Sequence, residues 1–369
     1  LVFLLIAKST VYRPDAYLYH LPFINIINDH KIIFGLSNIH FRFGHISIIQ
    51  YTSAIFNNFI FLKNGILLPS ALIAAGIIVN FSYQLYKYLK NKEFNFHFYY
   101  LFFIIIFIAY KMNRYGEYGN DAPTHFLFFF LVSEIIKNIE YKSSTFSNLL
   151  LISIFIIMNK ITMAFSIFLP FLMYKISFKK FFEHKNYFAF FFIFLWISKN
   201  IITTGCLAYP ISSLCFKNIS WSNIEFTNKV SIENEAWAKG WSDSKENINQ
   251  GEFSKNFKWI STWKNNHFKK IYEIMFPYII LILLIFLYFK FKNQKIEKKI
   301  NFKKYLIILT ICVVSILIWF LKVPVFRYGY SYLISFISLI FASICIKFLN
   351  YKNNLKNFFH YLLIFCFTI

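Results

Sequence analysis

The chain has 369 residues, 58% of them hydrophobic and 22% aromatic, with 15% charged and a mean hydropathy of +0.52. Apolar runs this long and this numerous exceed what a soluble core can bury, which excludes a water-soluble globular enzyme and implies a multi-pass helical membrane protein. The net charge of +23 comes from 35 lysines and four arginines against 16 acids; most of the lysines fall in connections between apolar runs, where they are topogenic and can touch anionic lipid, so no nucleic-acid partner is expected.

In chain order, membrane spans are expected at 1–8, 65–88, 98–112, 125–139, 148–159, 161–176, 187–203, 274–290, 305–322, 330–347 and 358–369. Together they make an all-α polytopic bundle of about ten to eleven spans within a single membrane domain, 1–369. Because the sequence starts at Leu1 and ends inside an apolar run, it reads as a fragment truncated at both ends. The pair 148–159 and 161–176, divided by Asn159-Lys160, reads either as two spans or as one broken helix with a re-entrant segment. With residue 1 starting inside, the short inner connections carry nineteen lysines and no arginine. All four arginines, Arg13, Arg42, Arg114 and Arg327, then fall on the outer side, where the positive-inside rule does not ask for them.

Two long segments face outward, 9–64 and 204–273. The first alternates apolar and polar residues at near-helical spacing over Asn25–Asn58, as expected of helices lying in the interface plane. The second holds Trp221, Trp237, Trp241, Trp259 and Trp263, which suit an interfacial belt better than a carbohydrate platform. It also holds Cys206 and Cys215, close enough in sequence for a disulfide on an oxidising side.

All four aspartates, Asp15, Asp29, Asp121 and Asp243, also map to the outer side. Asp15 lies in the cluster Tyr12-Arg13-Pro14-Asp15-Ala16-Tyr17-Leu18-Tyr19-His20, and Asp121 follows Arg114 in a second cluster that runs to His125. A third, Pro324 to Tyr330, carries Arg327. A carboxylate at a membrane mouth can take the proton of an acceptor hydroxyl as that oxygen attacks an anomeric carbon, and guanidinium groups can hold a leaving phosphate. Asp15 is therefore the candidate base. Arg13, Arg42, Arg114, Arg327 and His20 are candidate phosphate ligands, and Asp121 is the candidate group for acceptor or metal. The plainer roles for the same residues are helix caps for Asp15 and Asp121 and a lipid-headgroup anchor for Arg327. The outer histidines have no metal-ligand spacing.

The stretch Arg13-Pro14-Asp15-Ala16-Tyr17-Leu18-Tyr19-His20-Leu21-Pro22, leading into Gly35-Leu36-Ser37-Asn38 and Arg42-Phe43-Gly44-His45, resembles the first outer loop of GT-C fold glycosyltransferases. The branch it looks most like includes the bacterial relatives of protein mannosyltransferases and lipid A sugar transferases. The resemblance implies a catalytic acid at Asp15, a polyprenyl-phosphate sugar donor, a glycan or lipid acceptor, inversion at the anomeric carbon, and a site on the outer face of the inner membrane. For Asp121 it implies contact with the acceptor or with a divalent metal, Mg or Mn. Ala16 stands where many relatives carry a second acid, which argues against a metal-bound carboxylate pair. Two other readings compete: a surface polysaccharide polymerase or ligase, which would place its arginines in the 204–273 segment, and a lipid-linked oligosaccharide flippase, which would place more polar groups midway through spans.

Overall fold

The structure, a computed structural model, describes residues 2–8, 15–111, 118–141, 145–174, 186–244, 248–292 and 304–348. Among the described residues every regular element is helical, apart from an isolated bridge between Cys206 and Cys215. A short α1 (Val2–Ala7) is followed by a π-helical turn Ala16–His20, α2 (Leu21–Asp29), two 3-10 turns at Leu36–Asn38 and Phe41–His45, and α3 (Ile48–Phe56). The membrane part continues through α4 (Leu68–Asn91), α5 (Phe96–Tyr110), α6 (Asp121–Tyr141) and α7 (Phe146–Asn159), then a 3-10 segment Ile161–Ile167, α8 (Phe168–Tyr174) and α9 (Tyr187–Thr204). The long segment beyond α9 folds as α10 (Ile224–Ala238), α11 (Gln250–Phe253) and α12 (Ile260–Trp263) before α13 (Lys269–Lys292), α14 (Leu306–Lys322) and α15 (Phe326–Phe348).

Four helical stretches are long and apolar enough to cross a membrane: Gly65–Asn91, Tyr187–Thr204, Ile260–Tyr288 and Phe326–Lys347. Shorter apolar helices run at Phe96–Tyr110, Phe146–Asn159, Ile161–Met173 and Leu306–Lys322. The protein is thus a helical membrane protein. The expected run 358–369 lies outside the described residues.

Helix α5 is apolar on every face, the pattern of a helix surrounded by others, and all its residues from Phe96 to Ile108 are buried. It sits at the centre of the main core, packed on α15, α4 and α6. Helices α9 and α13 lie at the periphery and leave Phe188, Phe191, Phe194, Phe276 and Leu284 uncovered. Local chemistry sets the helix limits. Asn95 caps α5 by accepting from the Phe98 amide at 2.8 Å, and Lys92 ends α4 in the left-handed region at φ 60°.

The divided pair 148–159 and 161–176 is a hairpin. Lys160 is extended, and the returning chain lies along α7, with the Phe171 ring 5.3 Å from Phe146. Two expected limits shift toward the N-terminus: Asp121 to Thr124 and Arg327 to Gly329, outside the expected spans, already form the first turns of α6 and α15. The helices and turns of the segment 9–64 pack on one another through two small cores. Phe23, Leu36, Phe43 and Ile46 form one small core, and Ala16, Ile24, Ala54, Ile66, Leu67 and Tyr118 another.

Candidate functional site

Asp15 immediately precedes the π-helical turn Ala16–His20, and its side chain makes no capping hydrogen bond, which leaves both oxygens for other partners. Arg42 reaches it from the 3-10 turn Phe41–His45, where the His40 ring accepts from the Arg42 amide at 3.2 Å. The Arg42 Nη1 donates to Asp15 Oδ1 at 2.9 Å, and its guanidinium lies on the Tyr19 ring at 4.7 Å. Burial and the neighbouring Asp15 push the Tyr19 hydroxyl above its ordinary range, so it stays a neutral donor.

Arg327, in the first turn of α15, joins the two acids. Its Nη2 is 3.6 Å from Asp15 Oδ2 and its Nε 3.6 Å from Asp121 Oδ2. The Nε is buried, and among the described residues it has no hydrogen-bond partner. The Arg327 carbonyl accepts from His125 Nε2 at 3.0 Å, tying α15 to α6. Lys160, at the tip of the α7 hairpin, closes the other side of Asp121: its ammonium contacts Asp121 Oδ1 and lies 3.7 Å from the Tyr328 ring centre. Asn159 fixes the hairpin tip by donating to Thr124 Oγ1 at 2.6 Å and to the Asn120 carbonyl at 3.2 Å.

His20 is 4% exposed, and the Gln50 amide contacts its Nδ1, which leaves the ring proton on Nε2. Burial lowers its pKa to about 4, so at neutral pH it is an uncharged donor. Asp15, His20, Arg42, Asp121, Lys160 and Arg327 all line one cavity of about 1000 Å³. The expected convergence therefore holds for Asp15, Asp121, Arg42, Arg327 and His20. Arg13 and Arg114 lie outside the described residues.

Three residues that the sequence reading passed over belong to the site. Lys160 is hidden among 35 lysines, and the only sign of it was that Asn159-Lys160 interrupts an apolar run. Tyr19 and Tyr328 supply ring faces beneath the cations. The plainer roles fit less well: Asp15 caps nothing, and Arg327 faces two carboxylates. A divalent ion does not suit the donor set, because Asp15 and Asp121 both face cationic side chains. No group of three or more His, Cys, Asp or Glu converges among the described residues.

Two of the five tryptophans expected in an interfacial belt are instead part of a core. Trp259 and Trp263 are buried with Phe253 and Trp319, and the Trp263 indole donates to the Pro324 carbonyl at 2.6 Å. Trp221 donates to the Ile201 carbonyl at 2.8 Å. These indoles fasten the segment 204–273 onto the ends of α9 and α14, and Trp237 alone of the five is largely exposed, in the cavity wall. Two glycines bring the same segments close. A Cβ on Gly44 would sit 2.6 Å from the Tyr209 ring and one on Gly329 2.6 Å from the Trp319 ring. The Cys206–Cys215 disulfide, left open by the sequence, is present.

Comparison with curated proteins and with solved structures found no match. The family model for a domain of unknown function, DUF8201, matches residues 1–334, and the chain belongs to that family.

Proposed function

We propose that the protein is a membrane glycosyltransferase of GT-C architecture, with about ten to eleven spans, that moves a sugar from a polyprenyl-phosphate donor to a glycan or lipid acceptor on the outer face of the inner membrane. The observation that carries this reading is Arg327: a half-buried guanidinium 3.6 Å from each of two carboxylates, whose buried Nε makes no hydrogen bond among the described residues. A buried N–H without an acceptor is costly, and a phosphate oxygen would satisfy it. The cluster of Arg42, Lys160 and Arg327 against Asp15 and Asp121 has one positive charge in excess, which suits an anionic ligand.

In the proposed reaction Asp15 takes the proton of the acceptor hydroxyl while that oxygen bonds to the anomeric carbon. The bond from that carbon to the phosphate oxygen breaks on the opposite face, giving inversion, and its electron pair stays on the phosphate. Arg42, Arg327 and Lys160 stabilise the charge that grows there. The outer location is supported by the lysine-rich inner connections and by the Cys206–Cys215 disulfide, a bond of oxidising compartments.

The test is release of polyprenyl phosphate from a panel of polyprenyl-phosphate sugars by membranes containing the protein. Asp15→Asn abolishes release and leaves insertion intact; undiminished release by that variant removes Asp15 as the base. Movement of an intact lipid-linked sugar across proteoliposomes without release would favour the flippase reading.

A further inference from the structure

A further cation lines the same cavity, and among the described residues no acid pairs with it. Lys199 lies on α9 five residues before its outer end, about 7.5 Å along the axis. Its ammonium donates to the Ile46 carbonyl at 3.1 Å and to Asn200 Oδ1 at 3.0 Å, and sits 3.9 Å from the Trp196 ring centre. Among the described residues no carboxylate pairs with it. Next to Ile46 is His45, whose Nε2 faces the Asn234 amide at 3.1 Å, which leaves the ring proton on Nδ1. Lys199 and His45 thus place an ammonium and a ring N–H on one part of the wall, while the same helix presents Phe191, Phe194 and Leu195 outward. A partly buried ammonium held only by neutral partners favours an anion, and the uncovered apolar face of α9 gives a lipid-borne anion a route to it.

We propose that Lys199 and His45 hold a second lipid-borne phosphate group, in addition to the one expected between Arg42 and Arg327. This rests on the glycosyltransferase reading for the identity of the first. The second phosphate is either that of a lipid-linked acceptor or the further phosphate of a diphosphate donor.

The experiment titrates the full chain in neutral-lipid nanodiscs with farnesyl phosphate and farnesyl diphosphate, counting bound molecules by native mass spectrometry. Two farnesyl phosphates per chain, falling to one in Lys199→Gln, assign the group to a second lipid. One farnesyl diphosphate, held more tightly than the monophosphate by about ten- to a hundredfold and losing that advantage in Lys199→Gln, assigns it to a diphosphate. Lys199→Gln keeps a donor for the Ile46 carbonyl, thermal unfolding is followed in parallel, and Lys199→Arg retains wild-type binding. The proposal is overturned if Lys199→Gln binds both probes as the wild type does, or if inorganic phosphate displaces them equally well. Because the readout is occupancy, a protein that binds two phosphates yet transfers no sugar retains this inference and refutes the glycosyltransferase reading.

Discussion

Replacing Lys160 with Met removes the ammonium that contacts Asp121 but keeps an unbranched apolar chain of similar length. The side chains are 8% and 19% exposed, so the pair is poorly screened. Losing one partner of a buried pair costs about 3–5 kcal/mol, because a charge is left behind. Here Arg327 still faces Asp121 at 3.6 Å and Met still covers the Tyr328 ring, which puts the loss at the lower end, about 3 kcal/mol. Asp121→Asn alone strands Lys160 and should cost about as much. The double variant strands neither charge and should cost about 4 kcal/mol, so the pair is coupled by about 2 kcal/mol. Equilibrium unfolding in mixed micelles of rising SDS fraction, followed by tryptophan fluorescence, measures all four corners of the cycle. A Lys160→Met variant within about 1 kcal/mol of wild type, or a double variant whose loss equals the sum of the singles, would refute the pairing.

The buried His20 makes stability depend on pH. Its folded pKa of about 4 lies below the unfolded value near 6.5, so the unfolded state binds the extra proton and stability falls as pH drops from about 6.5 toward 4. Between pH 6.5 and 5 the loss is about 2 kcal/mol, and His20→Gln should flatten that part of the profile; an unchanged slope would place a charged or exposed ring there. Cys206→Ser with Cys215→Ser opens a cross-link of sequence separation 9 and should cost about 2–3 kcal/mol; a maleimide gel shift of the denatured chain that increases after reduction, and does not in the double variant, verifies that the bond forms in membranes. Gly329→Ala and Gly44→Ala each force a methyl to within 2.6 Å of a packed ring. Each is expected to destabilise by about 1–3 kcal/mol, and thermal stability equal to wild type would show that the rings do not close on these glycines.

The parts of the site that could be read in the sequence were those whose chemistry is rare in this chain. With only four arginines and four aspartates, Asp15, Asp121 and Arg327 stood out at the ends of apolar runs and Arg42 within the segment 9–64, and the structure brings these four together. Lys160 could not stand out, because in a lysine-rich chain a lysine between two apolar runs looks like any other connection. Its role depends on the hairpin direction, which is set by packing between α7 and the returning segment. The tryptophans were misread because composition records that an indole lies near a membrane and not which carbonyl its N–H meets. Trp263 finds the turn carbonyl of Pro324 and so becomes core. Helix limits moved at Asp121 and Arg327 because charged residues can occupy a first helical turn when partners from other segments compensate them.

That compensation bears on how the proposed reaction would be timed. Arg42, Lys160 and Arg327 gathered without anions would be unstable before a ligand arrived, and Asp15 and Asp121 supply the missing charge. The same pairing occupies Asp15 while it lasts, since Arg42 donates to one of its oxygens at 2.9 Å and Arg327 lies near the other. A phosphate entering between the guanidinium groups competes for both of them. As they turn to the phosphate, the carboxylate oxygens lose their guanidinium partners and are free to accept a hydrogen bond from the acceptor hydroxyl. In the proposed enzyme, donor binding would therefore prepare the base, and a hydroxyl reaching Asp15 ahead of the donor would meet a carboxylate still held by arginine.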